Sequence, residues 1–561
     1  MRNNRPKVSV PQRQVDRTLS ETRHWHQLEC AAGVFSSTYF SRRTHIPTIT
    51  IHDLPAEILL LIFKYVDKTV TRKRGKKIST RPAEESDLLS PSLFPYALAA
   101  VCSTWRDVMS LVPAFWTRVV ILVDSNPTTL SAVELQLQWS RALPLDITVT
   151  RRERSYTMDD LYEGKRVKAV MKLIGPHLPR CLSLRFDVIY SSSLPSLLKD
   201  FHGTAPLLKH LELECKLHDS DVLRDQDGGD DEDESDDEDE DKNDDGDGDD
   251  DDDDDDDSDD EDDSDNDEDD SDNDEDDSDD DDEGDGDGDQ DKDDGGDYAP
   301  PVAPDSTLEP FECPALRTLV IDGPNFYDAC KNIPQWGTKL RKVTSMAISR
   351  FRPTNSRKHL STFDVMKPLY HMPKCKRLRL TDLRLMSCRR ELDVMDYTSV
   401  DHIVVEDLHD AKIINEFIDH IDFDGGFSMA ITRCCLGDFA FDANCLELDE
   451  ISISEDILPI LPYWEGIHLS VNNCPGFGDR ILHRLGHRKK ISVCNMEHLV
   501  ISNCTNFTVP ALKRFVARRS KRRHSLEALK MVEILGEAPY FSPEDTKWFR
   551  DNLKWFVRMP G

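Results

Sequence analysis

No stretch of the 561 residues approaches the roughly 20 consecutive apolar residues that a bilayer-spanning helix needs, and no secretory signal is recognisable. The 14 cysteines are scattered, with no CxxC pair and no Cys/His spacing that suits a metal site. Tandem Cys434–Cys435 is poorly placed for a structural disulfide, because neighbouring Cβ atoms point apart on regular backbone. These absences predict small buried thiols in a reducing compartment. An intracellular protein of the cytoplasm, the nucleus or both is expected, with no membrane partner. The short motifs of nucleotide, zinc-protease and serine-hydrolase chemistry are missing too. There is no G-x-x-x-x-G-K-[ST], no G-x-G-x-x-G behind a strand, no H-E-x-x-H and no G-x-S-x-G. The expectation is a chain without catalytic residues, metal ligands or cofactor.

Positive charge is short as well, at −39 net, but the deficit is local. Between Asp225 and Asp297 there are 52 Asp or Glu against 2 Lys, a net of −50, which leaves +11 on the other 488 residues. The tract 225–297 is predicted to be a disordered, self-repelling coil. Its recurring Glu-Asp-Asp-Ser-Asp-Asn-Asp unit offers no apolar position for a coiled coil, and the EF-hand pattern is absent. Residues 1–48 are Arg-rich and acid-poor, a composition also found in mitochondrial transit peptides; a disordered basic arm is the preferred reading. Two further basic clusters, at 72–77 and 518–523, read equally as localisation signals, polyanion patches or solvated surface.

Folded structure is predicted to begin at Ile49. Pro55 suits the first helical position and Glu57 complements the helix dipole. Ile58, Leu59, Ile62, Phe63 and Val66 then form a broad apolar stripe, which Leu60 and Leu61 widen nearly all round the helix. Such a helix needs burial on more than one side, in a core or on a partner. A polar, basic loop is expected from Asp67 to Pro91. A second helix is expected from Leu93 to Leu111, with Leu98, Val101, Trp105, Val108 and Val112 on one face and Pro113 ending it. Val119–Val123 alternates and is β-branched, as a strand should be.

The order Leu54-Pro55-x-Glu57-Ile58-Leu59-x-x-Ile62-Phe63, then Val101-Cys102-x-x-Trp105-Arg106-Asp107-Val108, then Pro113-x-Phe115-Trp116 resembles an F-box. The stretch 137–149 resembles the connector of F-box proteins from mushroom-forming fungi. The resemblance implies a small all-α F-box over 49–122 that docks on the Skp-type adaptor of a cullin ubiquitin ligase. Leu54, Pro55, Ile58, Leu59, Ile62, Val101 and Trp105 would form the adaptor face or its supporting core. The connecting loop is longer and more basic than is usual in the family.

Further along, an apolar residue recurs three and five positions before two more, in an L-x-x-L-x-L frame. It fits Cys181/Leu184/Phe186, Leu208/Leu211/Leu213, Leu316/Leu319/Ile321, Val343/Met346/Ile348, Cys375/Leu378/Leu380 and Val400/Ile403/Val405. It continues at Met429/Ile431, Leu448/Ile451/Ile453, Leu469/Val471, Met496/Leu499/Ile501 and Leu526/Leu529/Met531. Asn473-Cys474 and Asn503-Cys504 fall at one offset after their strands, where a leucine-rich repeat turns. The fold class expected is therefore multidomain: the α F-box, then an α/β leucine-rich-repeat-like solenoid over 123–224 and 298–561, with the acidic tract inserted in one of its loops. Ser542-Pro543-Glu544-Asp545 is a helix start whose helix is expected to cap the last repeat with Trp548, Phe549 and Leu553.

Function follows as an expectation from the resemblance. The chain would be a non-catalytic substrate receptor, with an unknown protein substrate held by the repeats. The alternative is an interaction protein outside ubiquitylation, whose acidic tract binds histones or other basic proteins. Ser235 and Ser258 precede Asp-Asp-Glu, and Ser264, Ser271 and Ser278 have similar surroundings. All five are candidate sites for an acidophilic casein-kinase-type enzyme, each phosphate adding about −1.5 to −2 charges.

Overall fold

A computed structural model describes residues 51–75, 94–152, 160, 162–217, 311–353, 359–388, 398–422, 427–437, 443–461, 464–486, 495–519 and 528–559. The expected basic arm, the acidic tract and its five serines lie outside the described residues. Everything described belongs to one compact unit.

Helix α1 (Ala56–Gly75) follows a 3-10 turn at Ile51–Asp53. The Pro55 carbonyl accepts the first helical bonds, from Ile58 and Leu59, so Pro55 caps the helix and does not open it. The helix continues eight residues past Asp67, where a loop was expected. The predicted second helix is broken in two, α2 (Tyr96–Ala99) and α3 (Ser103–Ser110). Cys102 between them is extended, and Ser103-Thr104 is a composition that favours a helix start over a helix interior. The break turns Val101 out to solvent while Trp105 and Val108 stay buried.

The remaining elements build one sheet. In chain order they are β1 (Arg118–Leu122), α4 (Leu130–Trp139), β2 (Leu145–Thr150), α5 (Glu163–Ile174), β3 (Cys181–Tyr190), β4 (His210–Leu217) and β5 (Thr318–Asp322). Next come α6 (Gly323–Asn332), α7 (Trp336–Lys339), β6 (Ser345–Phe351), α8 (Thr362–Tyr370), β7 (Arg377–Leu383), β8 (Thr398–Ser399), β9 (His402–Glu406) and α9 (Ala411–Asp419). The last are β10 (Ile421–Asp422), β11 (Ser428–Thr432), β12 (Cys445–Asp449), β13 (His468–Asn472), α10 (Asp479–Leu485), β14 (His498–Ser502), α11 (Val509–Arg519), β15 (Met531–Leu535), α12 (Pro543–Asn552) and β16 (Trp555–Met559). Fourteen of the strands pair in chain order into a single parallel sheet, and β8 with β10 forms a separate pair. The α/β solenoid-like architecture expected from the repeats is thus present.

The apolar frame works because alternate strand residues face one side. Leu378/Leu380, Ile403/Val405, Met429/Ile431, Leu446/Leu448, Leu469/Val471 and Leu499/Ile501 stack in register into one core. Two of the expected frames are out of register with the strands. The strand at 445–449 buries Leu446 and Leu448, whereas Ile451 is buried beyond the turn and Ile453 is exposed. In the last frame Leu529, Val532 and Ile534 face inward, so the triplet starts three residues later than Leu526. Strands β2 and β16 were not predicted at all.

Two residues after each inward pair the backbone turns left-handed, at Arg350, Asp382, Asp407, Arg433, Glu450, Asn473, Asn503 and Gly536. From Asp407 onward the N–H of this residue donates to the carbonyl that ends the next strand, at 2.8–3.1 Å. Asn and Asp tolerate that conformation best among residues with a Cβ, so the Asn-Cys pairs are its clearest signal in the sequence. Except after Gly536, the residue that follows is buried. The Cys434, Cys474 and Cys504 thiols each donate to the carbonyl two residues back, at 3.2–3.3 Å, and burial pushes Cys434 and Cys474 up to about 12. The described cysteines are free; seven are buried, and Cys102, Cys330, Cys388, Cys435 and Cys445 are half-buried.

Both ends of the sheet are finished differently. At β1 the Tyr96 hydroxyl accepts from the Val120 N–H at 3.1 Å and lies within donating distance of the Arg118 carbonyl and Gln136 Oε1, so the helical segment covers this edge. At the other end the predicted capping box is present: the Ser542 hydroxyl accepts from the Asp545 N–H and the Asp545 carboxylate accepts in return. Phe549 is fully buried behind it and stacks on Phe556 of β16.

Strands β4 and β5 pair in register although residues 218–310 intervene, as an insertion in one repeat loop requires. A buried polar cluster fastens the two sides. The Ser191 hydroxyl donates to Asp322 at 2.6 Å, the Asn325 amide donates to Asp322 at 2.8 Å, and Asn325 accepts from the Leu197 N–H. Burial raises Asp322 to about 6, against the opposing pull of the Ser191 and Asn325 donors. A carboxyl raised on folding stabilises fully below its unfolded value near 3.8 and loses that contribution as pH rises through about 6. Asp322→Asn should therefore gain on the natural protein by roughly 1–2 kcal/mol between mildly acidic and slightly alkaline buffer, the rest of the effect lying at lower pH. Urea unfolding of both proteins at the two pH values checks this; a constant difference between them refutes it.

Candidate functional site

Helix α1 carries two apolar stripes. Leu59 and Phe63 point inward to a core made with Ala99, Trp105, Val108, Met109, Phe115 and Trp116, separate from the core under the sheet. Phe63 meets the Trp105 ring edge-on at 5.1 Å, and the Trp116 indole N–H donates to the Met109 carbonyl at 3.1 Å. Besides the Tyr96 contact to β1, Trp116 packs on Trp139 of α4, with ring centroids 4.5 Å apart.

The second stripe is Ile58, Leu61, Ile62 and Tyr65, an i, i+3, i+4, i+7 set on one flank of the helix. It faces solvent: Leu61 is 62% exposed and Tyr65 70%. Among the residues picked out from the sequence, Leu59 (1% exposed) and Trp105 are thus core, Leu54 is half-buried against that core, and Pro55, Ile58, Ile62 and Val101 are exposed. Exposed Leu61, Tyr65 and Leu111 were not picked out. The spacing of 58, 61, 62 and 65 was readable in the sequence, but it overlapped the inner stripe and merged with it.

The sheet offers a second surface, the side opposite the helices. Its three residue rows, in register from β11 to β16, are Ser428-Cys445-His468-His498-Met531-Trp555, Ala430-Glu447-Ser470-Val500-Glu533-Val557 and Thr432-Asp449-Asn472-Ser502-Leu535-Met559. Many charges here are paired. Arg433, at the turn beyond β11, reaches Glu406, Asp407 and Glu450 at 2.6–2.7 Å, and Arg379 bonds Glu406 at 2.5 Å. Those two guanidinium groups hold Glu406 below the usual carboxylate range, against the opposing effect of its burial. Burial, with the neighbouring His498, lowers His468.

The expected basic cluster at 518–523 is reduced by the fold. Arg519 is 1% exposed and donates to the Met496 carbonyl at 2.7 Å, so it serves the repeat interior and not a surface patch. Residues 520–523 lie outside the described residues. Of the cluster at 72–77, only the backbone of the first four is described, as the last turn of α1. Among the described residues no helix is long and apolar enough to cross a membrane. No protein-family model matches the chain, and no curated protein matches it significantly.

Proposed function

We propose that this chain is an F-box substrate receptor, docking through α1 on the Skp-type adaptor of a cullin ubiquitin ligase and holding a protein substrate on its repeats. The observation that carries the reading is the outer stripe of α1, four apolar side chains left in solvent beside a core already closed by Leu59, Phe63 and Trp105. A helix with apolar anchors at this spacing is what a hydrophobic groove on a partner receives. Its setting, within the Leu-Pro, Trp and Phe-Trp order described above, selects the adaptor as that partner. Ubiquitin transfer then belongs to other subunits, and this chain supplies proximity and orientation. Co-expression with a Skp-type adaptor tests the proposal: the two should co-elute on size exclusion, and Leu54→Ala with Pro55→Ala should weaken the complex. Separate elution of the natural chain and the adaptor overturns it.

A further inference from the structure

Glu447 and Glu533 occupy the centres of β12 and β15 on the open side of the sheet. Nearby carboxylates are partnered, Glu406 by Arg379 and Arg433, and Asp449 by a hydrogen bond from the Asn472 amide at 2.5 Å. Among the described residues, Glu447 and Glu533 have neither an ion-pair nor a hydrogen-bond partner. The setting of Glu533 is more pointed still. Its cross-strand partners are Val500 and Val557, and its same-side neighbours along the strand are Met531 and Leu535. All four are apolar. Trp555 stands opposite Met531, and Met559 opposite Leu535; each is 59% exposed. A carboxylate whose four nearest same-side neighbours are apolar, with His498 and Ser502 on the diagonals and an open indole beside it, suits a cation on an aliphatic stem. The methylenes of an arginine or lysine lie on the apolar neighbours, its head bonds the carboxylate, and the indole face favours the positive charge.

Both carboxylates sit in the same row, with Ser470 and Val500 between them. Three strand spacings separate them by about 14 Å. An extended peptide advances about 3.3 Å per residue and points alternate side chains the same way, so residues four apart span that distance on one side. We infer that the open side of β12–β16 binds an extended basic segment, with arginine or lysine at positions i and i+4 and an apolar residue against Trp555. The inference rests on the reading that the repeats hold the substrate, and it names the chemistry of that substrate.

The test is fluorescence anisotropy on the full chain at near-physiological salt, where a Debye length of about 8 Å suppresses weak attraction to the acidic tract. The probe is a short labelled peptide of Thr and Val carrying two arginines four residues apart and one leucine. Glu447→Gln with Glu533→Gln should weaken its binding about tenfold or more, as expected for loss of two charge-assisted contacts. Moving the second arginine to i+5, which points it away from the sheet, should cost the natural chain a similar factor and leave the double variant unaffected. Trp555→Ala should lower affinity for the first peptide several-fold. Equal binding by the natural chain and the double variant overturns the inference, since the tract or another surface would then be the site; so does the absence of binding to the natural chain. Adaptor capture by the natural chain is measured alongside. Capture without peptide binding rejects this inference alone, whereas peptide binding without capture rejects the adaptor reading alone.

Discussion

Replacing Ile58 and Ile62 together by aspartate should abolish adaptor capture while the chain stays folded. Both side chains are exposed on the outer flank of α1 and stand outside the helical core, so charging them opens no cavity in it. Burying an isoleucine against a partner is worth about 1.5–3 kcal/mol, and a carboxylate in its place must be desolvated besides. Losing both anchors should weaken the complex by about two orders of magnitude or more. Leu59→Ala is the contrasting change. Leu59 lies in the inner core with Phe63 and Trp105, and its truncation should cost about 2–5 kcal/mol of stability in the helical segment. The measurement is adaptor affinity by calorimetry, paired with hydrogen exchange over α1–α3. Capture at natural affinity by the aspartate pair, with exchange unchanged, would mean that the outer stripe is not the docking surface.

These two substitutions also mark where the sequence was and was not legible. The repeat strands from β6 to β14 were readable because an inward pair, a left-handed turn and a buried residue recur in them, and each step has a steric cause. Errors arose where an extra apolar residue offered a rival register. Ile451 is buried for its own reason, at the position that Cys474 and Cys504 fill in later repeats, and it drew the frame five residues too far. At the last frame, Leu529 holds the place that Met496 holds in the repeat before, so taking it as the central residue sets the triplet three residues early. The division of α1 into an inner and an outer stripe was illegible for a different reason. When both stripes are apolar the periodic signal cancels, and only the packing partner, here Trp105 against Phe63, decides which side is inside. Glu533 was hidden because its apolar frame is contributed by three strands, and adjacency across strands is not written in any one of them.

Trp464→Ala should be the most damaging single change in the repeats, and it should divide the sheet as well as weaken it. Trp464 is fully buried between β12 and β13, and its indole N–H donates to the Ala443 carbonyl at 2.6 Å. Gly466 packs so closely against this ring that a Cβ there would collide with it. Truncation removes the largest side chain at that junction and orphans a carbonyl, so a loss of about 3–5 kcal/mol is expected. In a stack of repeats each unit is held mainly by its neighbours, so a lesion at one junction uncouples the strands on either side. Urea unfolding should accordingly broaden into two steps with a lower slope, and hydrogen exchange should show β13–β16 losing protection separately from β1–β12. Trp464→Phe keeps most of the packing without the hydrogen bond, and it should recover the single transition at a slightly lower midpoint. If Trp464→Ala still unfolds in one sharp step with its strands exchanging together, the sheet is a single cooperative block and the junction at Trp464 is no weak point in it.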